Sequence, residues 1–221
     1  FYYYMKKNIK LITFFLLVFD ITSAQNIESI SSQAVYRIEV NKNNKILMDD
    51  SCVLNVSKSY SYFYSLGKIA FFENGFKNFQ KQNSNNNGNW DMSGTKSCKL
   101  CYNNVYYKDY QKNKTYAIQS LISNTYAYPV DNKVSINWQL TKDSLLINNI
   151  TCYKAFGKLD TTTYTAWYAP SISIPDGPVF LKGLPGLIAQ WESTNGVKIS
   201  LIRFESVSNN NKQNKYFKNY E

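Results

Sequence analysis

Leu187 to Ser193 (LIAQWES) and Val197 to Phe204 (VKISLIRF) flank Thr194-Asn195-Gly196. Two apolar-rich runs separated by a short loop containing Asn-Gly predict a β-hairpin. Leu187, Ala189 and Trp191 are two residues apart, so a regular strand places them on one side. Upstream the same style recurs. Gln33 to Val40 alternates Val35, Arg37 and Glu39 against Tyr36, Ile38 and Val40, a strand with one buried face. Lys45 to Val56 and Tyr60 to Tyr64 continue it. Asn103 to Tyr110 and Tyr116 to Ile122 read as two Tyr-containing strands joined by a Lys/Asn turn. Val134, Ile136, Trp138 and Leu140 share one parity and predict a further strand. Ile150 to Phe156 and Thr161 to Ala169 complete the set.

Leu66 to Gln80 is the helical candidate, with Ile69, Phe72, Phe76 and Phe79 at spacings of three and four. Its Gly67 and Gly75 weaken it. No β-α-β rhythm, dinucleotide loop or internal repeat is present. The fold class is therefore mainly β: a single antiparallel curved sheet, a sandwich or an open half-barrel, with room for one helix. One β-rich domain is expected over 25–208, followed by a frayed Asn/Lys/Tyr-rich tail over 209–221.

Composition narrows the chemistry. The 221 residues include 25 Lys+Arg, 15 Asp+Glu and no His. Without His there is no Ser-His-Asp triad, no Cys-His dyad and no His-ligated zinc. The net charge of +10 suggests a polyanion, yet only Arg37 and Arg203 are arginine. Arg is the residue suited to bidentate phosphate and base contacts. The scattered Lys residues read as solvated surface, and no nucleic-acid partner is expected.

Met5-Lys6-Lys7 and Lys10 precede the apolar run Leu11 to Phe19, and Thr22-Ser23-Ala24 follow it. A basic start, a short apolar stretch and small residues before Gln25 predict a signal peptide over 1–24. Phe1 to Tyr4 are read as lying upstream of the natural start. The apolar run is short of the roughly 20 residues a spanning helix needs. No membrane span is expected after cleavage, and an uncleaved anchor is the alternative. Export places Cys52, Cys98, Cys101 and Cys152 in an oxidising compartment, where an even number suggests disulfides. The favoured arrangement closes Cys98 on Cys101 and leaves Cys52 for Cys152. A redox CxxC needs a strand-to-helix setting. This one follows an Asn-rich loop and precedes a strand-like stretch. A four-thiolate metal site has only one CxxC to build on, so no metal or other cofactor is expected.

Four of the five Pro and three of the nine Gly residues fall between Pro170 and Gly186. Pro stiffens such a segment and Gly supplies conformations other residues avoid. Pro185-Gly186 fits the centre of a type II turn. An ordered lasso is expected, leaving one strand, crossing an end of the sheet and entering the next. Its bland role is a plug for the core; its functional role is to shape a pocket mouth.

Gly183-Leu184-Pro185-Gly186-Leu187-Ile188 resembles the motif that names the GLPGLI family of exported Bacteroidetes proteins. Trp138, the Ile150 to Ala155 run, Ala166-Trp167-Tyr168-Ala169, Asp176-Gly177-Pro178 and Phe180 resemble the family's motifs in the family's order, covering Val134 to Glu192. Cys98 and Cys101 lie outside the resembling pattern, as does 82–112. The resemblance implies export to the periplasm or beyond and company with TonB-dependent outer-membrane receptors. It implies no particular reaction.

The expected function is therefore non-enzymatic binding of an apolar ligand or peptide. A concave sheet lined by Trp138, Trp167, Tyr168 and Trp191, with Gly183 to Ile188 at its mouth, would supply the site. The alternative is an envelope protein that partners an outer-membrane receptor. The third reading is a His-independent hydrolase. For that role Asp49-Asp50 is the adjacent acidic pair, but strand neighbours point to opposite faces. Asp176 is the best-placed single carboxylate, with a turn role as its bland reading.

Overall fold

The computed structural model describes residues 28–43, 45–70, 101–121, 124–130 and 136–207. Eleven strands form one antiparallel sheet: β1 (Ser32–Lys42), β2 (Lys45–Val56), β3 (Tyr60–Ser65), β4 (Val105–Asp109), β5 (Lys114–Leu121), β6 (Asn124–Val130), β7 (Gln139–Ile147), β8 (Ile150–Leu159), β9 (Thr162–Ala169), β10 (Leu187–Ser193) and β11 (Val197–Ser206). A short helix, α1, covers 66–70, the start of the expected Leu66 to Gln80 helix. The remainder of that segment, the signal segment 1–24 and the tail 209–221 lie outside the described residues. No described helix is long and apolar enough to cross a membrane.

The strand order is β6-β5-β4-β3-β2-β1-β11-β10-β9-β8-β7. Every neighbour is consecutive in sequence except β1 and β11, which zip the two halves together. The consecutive strands β6 and β7 therefore lie at opposite edges. Laid flat, eleven strands span about 48 Å. The link 131–138 can reach only about 30 Å, so the sheet must roll. Phe180 shows the same roll from inside: its ring sits 6.4 Å from Tyr106 on β4 and 6.4 Å from Tyr164 on β9. Those strands are six steps apart in the sheet, about 29 Å along its surface. The result is one curved antiparallel sheet that is not closed into a barrel between β6 and β7, within the range of forms expected: curved sheet, sandwich or open half-barrel.

The inner face carries the core. Tyr36, Ile38, Cys52, Leu54, Phe63, Ala117, Cys152, Ala166, Ile199 and Leu201 are buried there. The turns follow from local chemistry. Asn148 and Asn149 have φ of 49° and 64°, the two positive values that a two-residue type I′ hairpin requires and Asn tolerates. Asn148 Nδ2 also donates to the carbonyls of Leu201 and Ile202 at 2.6 and 3.1 Å. Ser193 O accepts from Gly196 N at 3.0 Å, and Gly196 has φ of 81°. That is the three-residue hairpin loop ending on a left-handed Gly, so the Asn-Gly hairpin holds.

Three expectations need correction. Of the strand expected over Val134 to Leu140, Val134 and Ser135 lie outside the described residues and 136–138 are not strand; β7 begins at Gln139. The alternation has another cause. A Cβ on Gly157 would lie 2.3 Å from Ile136 Cγ2 and 3.0 Å from Asn137 O. The link crosses close over β8 because Gly157 has no side chain, and this packing fixes Ile136. β6 was not foreseen. It carries Pro129, which suits an edge strand. Finally, Leu187, Ala189 and Trp191 do not share a face. The β10–β9 register shifts between Ile188 and Gln190, and this bulge puts Ile188 and Trp191 on the inner face together.

Candidate functional site

The lasso, residues 170–186, joins β9 to β10 and folds back over the inner face. Ile172 N bonds to Ala169 O, Ile174 N to Ile172 O and Asp176 N to Ile174 O. Asp176 then pairs with Lys182 as an isolated antiparallel bridge, closing a loop over 176–182. Val179, Leu181 and Leu184 bury their side chains in the core. The motif ends differently from the type II expectation. Gly186 N bonds to Leu184 O at 2.8 Å, a γ-turn about Pro185. Leu187 N is directed to Ile172 O at 3.2 Å instead, tying the lasso's end to its beginning.

A charged cluster pins this loop to the far half of the sheet. Lys108 on β4 and Asp176 are each about 1% exposed. Lys108 Nζ pairs with Asp176 Oδ1 and also donates to Gly177 O at 2.6 Å and Leu181 O at 3.1 Å. Three ammonium donors thus meet three acceptors. Asp176 Oδ1 accepts from Gly177 N at 2.7 Å. Its Oδ2 accepts from Ser61 Oγ and Tyr110 OH, each at 2.6 Å. Burial pushes the Lys108 ammonium below its ordinary pKa, and the Asp176 charge opposes that shift. Burial, reinforced by Asp176, pushes the Tyr110 phenol up. Trp138 Nε1 donates to Lys182 O at 3.1 Å, and Lys182 Nζ to Asn113 Oδ1 at 2.7 Å. Each polar atom of the cluster is spent on another, so its chemistry is that of a clamp. Asp176 therefore does more than shape a turn.

Beside the clamp lies a hollow of about 210 Å³. The rings of Trp191, Tyr164, Phe180, Tyr102 and Tyr106 contribute to its wall, with Val179 and aliphatic residues of β1 and β11. Its polar lining residues, apart from the phenols, are Ser193 and Asn195 at the β10–β11 hairpin end. Among the described residues, Lys, Arg, Asp and Glu are absent from the lining. Trp191 is buried, and its indole N–H has no hydrogen-bond partner among the described residues. Val179 has φ of 63°, a left-handed conformation unusual for a β-branched residue. Such strain is found where surrounding structure imposes it, often at binding sites.

The expected aromatic lining is only partly assembled. Trp191 lines the hollow. Trp138 fastens the lasso. Trp167 lies on the opposite face of β9 from Tyr164, Ala166 and Tyr168, with Lys154 Nζ 5.9 Å from its ring centroid. Tyr168 is buried in the core. Leu184, Leu187 and Ile188 are also buried, while Gly183 and Pro185 are exposed. The Gly183 to Ile188 motif builds the plug and does not line the hollow. Sequence reasoning missed Lys108, Ser61 and Tyr110. Asp49 and Asp50 do face opposite ways: Asp49 accepts from Arg37 at 2.9 and 2.8 Å, whereas the buried Asp50 accepts from Tyr102 N at 2.9 Å.

The Cys52–Cys152 pairing is not present; both are free and buried. They stand on β2 and β8, five steps apart in the sheet. Each thiol has another neighbour, Asp50 for Cys52 and Ile150 O for Cys152. Cys101 is buried and not free, and its expected partner Cys98 lies outside the described residues. Among the described residues no group of three or more Cys, Asp or Glu could hold a metal. Burial pushes the Cys152 thiol up to about 11 and the Cys52 thiol up as well. Native protein at pH 8 should therefore resist iodoacetamide at both residues. Urea-unfolded, unreduced protein should take one label on each, read by peptide mass spectrometry. Labels appearing only after reduction would contradict the free-thiol assignment.

No family model matches the chain, and no curated protein matches it. Among solved structures the fold is similar to PNGF-II in two crystal forms, P21 and C2. Each has a TM-score of 0.54 at 12% identity over 81% of this chain. The chain spans only 29% and 28% of the length of those chains, and the likeness is one of fold.

Proposed function

We propose that this chain is an exported, non-enzymatic binding protein of the bacterial envelope that holds an apolar group of a ligand or peptide in the hollow beside the lasso. The observation that carries the reading is the wall itself: among the described residues it has five aromatic residues, no Lys, Arg, Asp or Glu, and polar side chains gathered at the hairpin end. Pockets that bind small molecules are apolar with a few placed polar groups. The strained Val179 in the same wall supports it. Export rests on the N-terminal segment and on the resemblance to the GLPGLI family. The non-enzymatic part is supported by the clamp, where Ser61, Lys108 and Asp176 are buried and bonded to one another rather than offered to a substrate.

Native mass spectrometry of the protein, purified without detergent from cells that export it, tests the reading. A co-purifying apolar species that is released on unfolding supports it. A ligand-free protein that also takes up nothing from a hydrophobic extract of those cells contradicts it.

A second reading is an envelope partner of an outer-membrane receptor. It is favoured by β7, an edge strand exposed along most of its length, with Leu140, Leu145 and Leu146 all accessible to solvent. Uncovered apolar edges invite pairing. Crosslinking in the native cell, with recovery or absence of an envelope protein, separates the two.

A further inference from the structure

We infer that the hollow takes one neutral aromatic ring, or an apolar group equally short, and not the length of a lipid chain. This rests on the binding reading above and narrows it to a ligand class. Size is the first argument. An apolar cavity of about 150 Å³ is enough for benzene, whereas pockets for drug-sized ligands run from roughly 300 to 1,000 Å³. At about 210 Å³ the hollow lies just above the first figure and below the second. Shape is the second. The wall is bounded by the lasso at Val179 and Phe180 and by the inner face of β1, β10 and β11 at Ile38, Trp191 and Ile199. Among the described residues, Leu181 and Leu184 are buried in the core next to these lasso positions, which limits the depth of the hollow on that side.

Chemistry is the third argument. Tyr164 and Trp191 stand 5.7 Å apart at 51°, and Tyr164 and Phe180 6.4 Å apart at 82°. One pair tilted and one edge to face, these rings offer a further ring both faces and edges. An anion or cation would find no counter-charge among the described lining residues and would lose hydration. Ser193 and Asn195 at one end suit a neutral polar substituent or an amide. The ring has two sources, a small free compound or an aromatic side chain of an extended peptide, and both share this chemistry.

Titration of the full chain with p-cresol, N-acetylphenylalaninamide and a series of straight-chain alcohols, read by calorimetry and by the Trp191 indole N–H resonance, tests the inference. Both ring probes should bind and shift that resonance. Alcohol affinity should rise about fourfold per methylene up to about six carbons and then stay level. Val197→Trp, which fills the hollow from the hairpin side, should weaken p-cresol at least tenfold. Ser193→Trp serves if that variant fails to fold. Tighter binding of the amide than of p-cresol assigns the ring to a peptide; the reverse assigns it to a free compound. An alcohol series that keeps gaining fourfold per carbon to twelve carbons overturns the size limit while leaving the binding reading intact. No binding of any probe overturns both.

Discussion

Lys108→Met should destabilise the protein by about 3–5 kcal/mol, the usual consequence of leaving a buried charge without its partner. The variant strips Asp176 of its counter-ion and leaves the carbonyls of Gly177 and Leu181 without the donor they now share. In a domain of this size that corresponds to a melting temperature lower by about 10 °C. Asp176→Leu should do comparable damage for the reciprocal reason, an unpaired ammonium in the core. The double variant should recover much of the loss, because two apolar side chains need no partner. Urea melts of the four proteins give the coupling directly. A Lys108→Met protein within about 1 kcal/mol of the parent would mean that the clamp does not hold the lasso.

Gly186→Ala should be the most damaging methyl that can be added to the motif, and Gly183→Ala among the mildest. Both glycines have positive φ, 143° and 93°, so both substitutions strain the backbone. Their surroundings differ. A Cβ on Gly186 would stand 2.2 Å from Ala169 O and 2.8 Å from Pro170 Cα, while no described residue lies within 4 Å of one on Gly183. Backbone atoms at the start of the lasso cannot move aside as a side-chain end could. About 3 kcal/mol or more is expected for Gly186→Ala, against about 1 kcal/mol for Gly183→Ala. Equal losses at the two positions would show that only conformational strain matters there. The lasso's two ends would then not be packed as described.

The strands with strict alternation were legible because one face is buried and the period is two. β1 follows from that pattern, while β2, β8, β9 and both arms of the β10–β11 hairpin follow from their apolar and β-branched runs and from Asn and Gly at the turns. β7 was hidden because it is an exposed edge. Its exposed leucines fall on both faces among polar neighbours and carry no one-sided signal. The Ile136 and Trp138 alternation misled because close packing over Gly157, not strand pairing, fixes those residues. The bulge after Ile188 was invisible because it depends on the register with β9. The hollow was half legible: Trp191 could be named, but Tyr164, Phe180 and Tyr102 are brought to it by the roll of the sheet and the return of the lasso. The clamp was the least legible part. Lys108 and Asp176 are 68 positions apart, and a Lys in a Tyr-rich strand of a Lys-rich chain gives no sign that it is buried.

The most direct test of the binding account is a crystal structure of the protein soaked with 4-bromophenol, with the bromine located by its anomalous signal. A bromine peak is expected inside the hollow, with the ring between Trp191, Tyr164 and Phe180 and its hydroxyl toward Ser193 and Asn195. A hollow closed by protein side chains, or bromine found only elsewhere on the surface, would contradict the binding account.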